Sequence, residues 1–191
     1  MPLVFVILGR QGSGKGTQAA LIVERYGLIH ISTGDMLRNA VEAGTDLGLQ
    51  AKTIMDAGEL VGDDIINSIV AERLEQPDIQ THGVLLDGFP RTTTQADALA
   101  RILQKDGPNL AINLNVPIEE VTRRMLDRGR GDDTAEAIAR RLELYETQTA
   151  PLLTWFQNNG CLQVIDGRGS EQEVFARLVK IINNTYDDIM G

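Results

Sequence analysis

Apolar positions along this chain keep two rhythms. Short apolar stretches occur at residues 3–8, 28–31, 84–87, 110–116 and 161–166, and between them apolar positions recur every three or four residues. The first rhythm predicts strands and the second predicts helices. The runs opening at Leu3 and Val84 are continuous, as in strands covered on both faces, and the latter ends in a carboxylate, Asp87. Helical spacing follows over residues 14–26, where Ala19, Ala20, Ile22 and Val23 form a stripe, and again through Met36, Leu37, Ala40 and Val41 behind the helix-start sequence Ser32-Thr33-Gly34-Asp35. Two short helices are predicted over 45–57 and 63–74, punctuated by Gly44 and Gly58, and another over 93–105. Pro117 opens a helix to about residue 127, a long helix over 134–156 should kink or partly unwind at Pro151, and a last one spans 171–189.

Five strands separated by helices predict an α/β fold with a parallel sheet covered on both faces, which binds ligands outside the carboxyl ends of its strands. The chemically suggestive residues fall at those ends. After the first strand comes Gly-Arg-Gln-Gly-Ser-Gly-Lys-Gly-Thr-Gln at 9–18, leading into a helix. Glycines let successive backbone N–H groups wrap an anion, the helix aims its positive end at it, and Lys15 adds a point charge. The residue after the lysine in the general phosphate-loop pattern is Ser or Thr; here it is Gly16, and the hydroxyl comes one later on Thr17. Ser32-Thr33-Gly34 follows strand two, Asp87-Gly88-Phe89-Pro90-Arg91 strand three, and Gly167-Arg168-Gly169 strand five.

Composition narrows the class. The chain has 191 residues, enough for one well-buried core and too few for two ordinary domains. With 18 Lys and Arg against 27 Asp and Glu, the net charge of −9 disfavours nucleic acid and anionic membranes as partners. Small anions remain accessible to a local arginine cluster, because screening limits the reach of distant charge to about 8 Å. The apolar amino terminus lacks preceding basic residues and a cleavage site, so it reads as a strand. A single cysteine, Cys161, permits no internal disulfide and fits a reducing, cytoplasmic setting; on an apolar strand it reads as a small buried hydrophobe. His30 and His82 show no metal-ligand spacing and read as structural, Trp155 and Phe156 read as core, and helix-face arginines such as Arg123, Arg140 and Arg177 read as solvated charges.

The loop ending Gly-Lys-Gly-Thr-Gln, together with Ser-Thr-Gly-Asp-Met-Leu-Arg at 32–38, Asp-Gly-Phe-Pro-Arg-Thr at 87–92 with Gln95, and Arg-Gly-Arg-Gly-Asp-Asp-Thr at 128–134, resembles the nucleoside monophosphate kinases, the adenylate kinases in particular. The resemblance covers essentially the whole chain. It implies a P-loop NTPase-type five-stranded parallel sheet flanked by helices, with core residues 1–31, 62–126 and 138–191, a small NMP-binding insert over 32–61 and a short lid over 127–137. It further implies Mg²⁺-dependent interconversion of ATP plus AMP with two ADP by a monomer. The lid segment carries no cysteine, so a cysteine zinc site there is excluded.

By the same resemblance, Gly12, Ser13, Gly14, Lys15, Gly16 and Thr17 would hold the donor phosphates, with Arg124 and Gly169 near the donor adenine. Thr17 and Asp87 would hold Mg²⁺, largely through water. Thr33, Gly34, Arg38, Glu59, Leu60, Val61, Gly88, Phe89, Pro90, Arg91 and Gln95 would bind AMP, and Arg128, Arg130 and Arg141 would close on the transferring group, oriented by Asp132 and Asp133. Thr33 and Gln95 favour adenylate over the pyrimidine acceptors. Two residues depart from the pattern: Gln11 stands where proline is usual, and Gly62 where Thr or Pro commonly precedes the acidic residue. Two other readings are a kinase of the same fold with another acceptor and an ATP-driven switch acting on a protein partner; the second nucleotide site argues against the switch.

Overall fold

The structure, a computed structural model, describes residues 2–105, 107–129 and 133–190, and the side chains among them except those of Leu47 and residues 188–190. Five strands, β1 (Val4–Leu8), β2 (Ile29–Ser32), β3 (Val84–Asp87), β4 (Leu110–Asn115) and β5 (Leu162–Asp166), form one sheet. Their order is β2-β3-β1-β4-β5 and every pairing is parallel, with Val6 opposite both Leu86 and Ala111. From β1 the chain departs toward one edge and from the adjacent β4 toward the other, so a crevice opens at their carboxyl ends.

The continuous apolar runs follow from burial on both faces. Val4, Val6 and Leu8 point into one core with Val84 and Leu86, while Phe5 and Ile7 point into the other with Leu85 and Ile112. The helices α1 (Lys15–Tyr26) and α10 (Glu171–Met190) cover the second face through Ala19, Ile22, Val174, Leu178 and Ile182. The first face is covered by α4 (Asp63–Leu74), α6 (Thr93–Leu103) and α9 (Pro151–Asn158), with Val70, Leu99 and Phe156 fully buried. The edge strand β5 is wetter than its sequence suggests; Val164 is exposed.

Two helix pairs complete the fold. Between β2 and α4, α2 (Thr33–Glu42) and α3 (Asp46–Asp56) form a hairpin so tight that a Cβ at Gly48 would lie 2.0 Å from the Ala40 carbonyl oxygen. After β4, α7 (Ile118–Arg128) and α8 (Ala135–Leu144) share a small core of Val121, Met125 and Ile138.

The structure refines the sequence reading in two places, and the interruption expected at Pro151 is present. The helix expected over 134–156 is three pieces: α8, a π-helical turn at Tyr145–Thr149, and α9 with Pro151 at its start. Pro151 has no N–H for the carbonyl four residues back, and the turn before it widens so that Ala150 N–H donates to Tyr145 O at 2.7 Å. A short helix unforeseen in the sequence, α5 (Pro77–His82), follows α4; six residues are too few to show a period, although Pro77 opens it. Its Asp78 receives both terminal nitrogens of Arg73, at 2.8 and 2.6 Å. Among the described residues no helix is long and apolar enough to cross a membrane.

Candidate active site

The turn from β1 into α1 takes its shape from glycine. Gly9, Gly12 and Gly14 have φ of 141°, 84° and 95°, and a Cβ at Gly12 would sit 2.6 Å from the Val121 carbonyl oxygen. No L side chain suits that combination of positive φ and contact. The N-cap of α1 is Gly14, which has no side chain to occupy the first N–H groups, so the helix start presents them to the cleft. Lys15 folds back along its own loop, donating to Gly9 O at 2.8 Å and Arg10 O at 3.0 Å.

Behind the loop, Arg10 donates to Glu146 from Nε at 2.7 Å and to Val116 O at 3.2 Å, with its guanidinium 5.2 Å from the centre of the Tyr145 ring. The π-helical turn therefore braces the phosphate loop. Gln11 is not part of that contact; it lines the cleft.

At the end of β3, Asp87 is nearly buried, and His30 Nε2 on the neighbouring strand lies 3.6 Å from its Oδ2. Gly88 follows with φ 81°, and its carbonyl accepts from Thr33 Oγ1 and from Arg91 Nε, both at 2.8 Å. A Cβ at Gly88 would meet Thr33 Oγ1 and Arg91 Nη2 at 3.0 Å each, so glycine lets the ends of β2 and β3 converge. The Phe89–Pro90 peptide is cis. Burial pushes the Arg91 guanidinium below its ordinary range, opposed by the carboxylate of Asp87 and reinforced by the nearby charges of Arg38 and Arg141. A buried guanidinium disfavoured by two like charges makes a site that gains from an anion.

The remaining arginines come from the segment after β4. Arg128 grips Asp133 with Nε and Nη2, at 3.0 and 2.9 Å, and Arg141 donates to the same carboxylate at 3.0 Å and to Met55 O at 3.1 Å. The Asp133 side chain is fully buried between them. Arg38 pairs with Asp35, and Arg124 with Glu120 and, at 3.4 Å, with Ser13 O. Glu59 accepts from Arg140 Nε at 2.6 Å, and a Cβ at Gly58 would touch Ala137 O at 2.7 Å, so the end of the 32–61 segment rests on α8.

The phosphate loop, the ends of β2 and β3, and Arg38, Arg124 and Arg128 surround one cleft of about 660 Å³. Of the residues singled out in the sequence, those at positions 12–17, Gly34, Arg38, Asp87, Gly88, Pro90, Arg91, Arg124, Arg128 and Gly169 line it. A smaller cavity of about 30 Å³ adjoins it through Gly88 and Arg91 and is lined by Thr33, Leu60, Val61 and Gln95. Glu59 lines neither cavity, and Phe89 is a core residue, 1% exposed. Arg141 reaches the site through Asp133 and the field it exerts on Arg91. Arg130 and Asp132 lie outside the described residues.

Three readings change. Arg140 bridges Glu59 and Glu143, and Arg177 donates to the carbonyls of Asp166 and Arg168, so neither is a merely solvated charge. Cys161 is only half-buried, immediately before the edge strand, where burial still raises its thiol. His30 has Asp87 as a neighbour, which strand order alone decides. Tyr145 and Thr149 line the cleft unforeseen; no motif marks them, and only the π-helical turn carries them there.

The comparisons agree with this geometry. A family model described as adenylate kinase matches residues 7–161. Among curated proteins, an adenylate kinase of Mycobacteroides abscessus is 50% identical over 174 residues, spanning 90% of this chain and 94% of that protein. Adenylate kinases of Stenotrophomonas maltophilia and Leptospira biflexa are 46% and 45% identical over 183 residues, spanning 93% of this chain and 97% and 98% of theirs. A family model that matches most of the chain and relatives 45–50% identical over 90% or more of it show that the chain belongs to the adenylate kinase family.

Proposed function

We infer that this protein is an adenylate kinase that moves a phosphoryl group reversibly between ATP and AMP, giving two ADP. The observation that carries this is the shared cleft: a phosphate loop and the acceptor-side arginines Arg38 and Arg91 line the same cavity. A protein that only hydrolysed ATP would have no use for the second set.

In-line transfer asks the enzyme to align two nucleotides and neutralise charge on the moving group. The backbone of residues 12–17 cradles the donor phosphates, and Lys15 exchanges its two carbonyl partners for phosphate oxygens. Arg38 and Arg91 hold the acceptor phosphate. Arg128, Arg130 and Arg141 draw in around the transferring group, with Asp133 holding Arg128 and Arg141 side by side beforehand. Forked guanidiniums suit phosphate oxygens because they make paired hydrogen bonds and stay charged. Arg124 and Gly169 lie by the donor adenine, and the acceptor base sits against Thr33, Leu60, Val61 and Gln95.

The fit for Mg²⁺ is that of an ion held mostly by phosphate and water. Among the described residues no group of three or more His, Cys, Asp or Glu is placed to hold a metal, yet Asp87 and Thr17 both line the cleft. One carboxylate and one hydroxyl suffice for magnesium, which keeps several waters. When bound, the ion neutralises phosphate charge; Asp87 and Thr17 orient its waters.

We read residues 32–61 as the NMP-binding insert and 127–137 as a short lid, moving on a core of 1–31, 62–126 and 138–191 and excluding water when closed. The protein acts as a cytoplasmic monomer with no nucleic-acid or membrane partner. Mg-ATP-dependent phosphorylation of AMP, UMP, CMP and GMP by the purified protein tests the reading. AMP should be the best acceptor by a wide margin; equal or greater turnover on a pyrimidine would overturn it, as would ADP release with no acceptor.

A further inference from the structure

The small cavity beside the main cleft has apolar walls, among them Leu37, Leu60, Val61 and Ile66, and one primary amide, that of Gln95. Gln95 is 2% exposed, so its orientation is set by its neighbours. Its Oε1 accepts from the Arg91 backbone N–H at 2.7 Å, and its Nε2 donates to Asp63 Oδ1 at 2.6 Å. An N–H only donates and a carboxylate only accepts, so the amide is locked one way round. Asp63 is held in turn: its Oδ2 accepts from Thr92 Oγ1 at 3.0 Å, and that hydroxyl caps α6 by accepting from Gln95 N–H at 3.1 Å.

Beyond these partners, Nε2 has a second N–H and Oε1 a second lone pair to offer a base in the cavity that Gln95 lines. Adenine presents the complement, an acceptor at N1 beside a donor at N6. Guanine and hypoxanthine present the reverse, N1–H beside O6. Resting on the adenylate-kinase reading, we propose that Asp63 is a positioning residue that sets acceptor specificity, fixing the Gln95 amide so that the site takes 6-aminopurine monophosphates and rejects 6-oxopurine ones. A site built around fixed hydrogen-bond partners discriminates far more sharply than an apolar wall, because the wrong base leaves buried groups unpaired.

The test compares kcat/KM for AMP and IMP, with Mg-ATP as donor, in the wild type, Asp63→Asn and Asp64→Asn. Asparagine offers a donor as readily as an acceptor and releases the lock; the AMP-to-IMP ratio should fall by about tenfold or more. The fall should come chiefly from a higher KM for AMP, with KM for ATP unchanged. Asp64→Asn removes the same first-turn charge from α4 and contacts none of these groups; its ratio should stay at the wild-type value. An unchanged ratio in folded Asp63→Asn overturns the proposal, as does an equal fall in Asp64→Asn. If Asp63→Asn does not fold, Asp63→Glu decides in the same way, since it keeps the charge and displaces the oxygens. A wild type that phosphorylates no nucleoside monophosphate rejects the adenylate-kinase reading itself; a wild type active on AMP with an unmoved ratio rejects only the role of Asp63.

Discussion

Arg10 and Glu146, 136 positions apart, meet at 2.7 Å, and the contact fastens the phosphate loop to the turn that follows α8. The Arg10 carbonyl is also one of the two that receive Lys15 Nζ, so the brace and the lysine share a residue. Where the family favours proline at position 11, this chain has Gln11, and the loop gives up one fixed φ. The Arg10 brace supplies restraint from outside the loop instead.

Arg10→Ala should therefore weaken donor binding while sparing the acceptor. Losing the ring contact and a partly exposed ion pair is worth about 1 kcal/mol, or roughly a fivefold rise in KM for Mg-ATP. KM for AMP should hold steady, and Glu146→Gln should give a smaller change in the same direction. Unaltered ATP kinetics in Arg10→Ala would show that the loop needs no brace.

Lys15→Met should fold normally and transfer little. Its ammonium is the point charge at the phosphate loop, and loss of one aimed electrostatic partner costs about 10²–10³ in turnover. Circular dichroism checks the fold and coupled-assay kinetics the loss; turnover within a few-fold of wild type would remove Lys15 from the phosphates.

Gly48→Ala should cost about 1–3 kcal/mol, the usual penalty for an extra methyl in a packed contact, because its Cβ would fall 2.0 Å from Ala40 O. Forcing α2 from α3 disturbs the acceptor side, so KM for AMP should rise with little change for ATP. Urea denaturation and an AMP titration read the two effects. Wild-type values in both would mean that the hairpin yields freely.

Asp78 gives a pH signature. The fork from Arg73 holds its carboxyl down at about 2, below the ordinary value of 3.8. A carboxyl whose folded value is depressed adds stability above its unfolded value and loses it as the pH falls through the folded one. The stability gap between wild type and Asp78→Asn should thus be full at pH 5 and shrink steadily toward pH 2. Denaturant midpoints at several pH values measure the gap; one independent of pH would show that Arg73 does not perturb the carboxyl.

Much of the site was legible because its parts are local. Gly12 and Gly14 must take positive φ within a few residues of Lys15, and Asp87 ends a continuous apolar run, so spacing and composition announce both. The sequence singles out Gln95 as a candidate base contact, but the hydrogen bonds that orient its amide were not legible. Asp63 lies 32 positions away on another helix, and nothing in its local sequence ties it to Gln95. The ion pair of Glu59 with Arg140 was hidden for the same reason: a contact between residues 81 positions apart leaves no periodicity.

The sequence by itself determined the α/β alternation, the strands buried on both faces and the phosphate loop, since each depends on neighbouring residues and a two- or four-residue period. Tertiary structure alone decided the strand order β2-β3-β1-β4-β5, which sets His30 beside Asp87, and the π-helical turn that brings Tyr145 into the cleft. It also decided which acid holds which arginine: Glu146 for Arg10, Glu59 for Arg140, and Asp133, already expected to orient its neighbours, for Arg128 and Arg141 together. Charges of one kind are interchangeable along a chain, and only the folded distances choose among them.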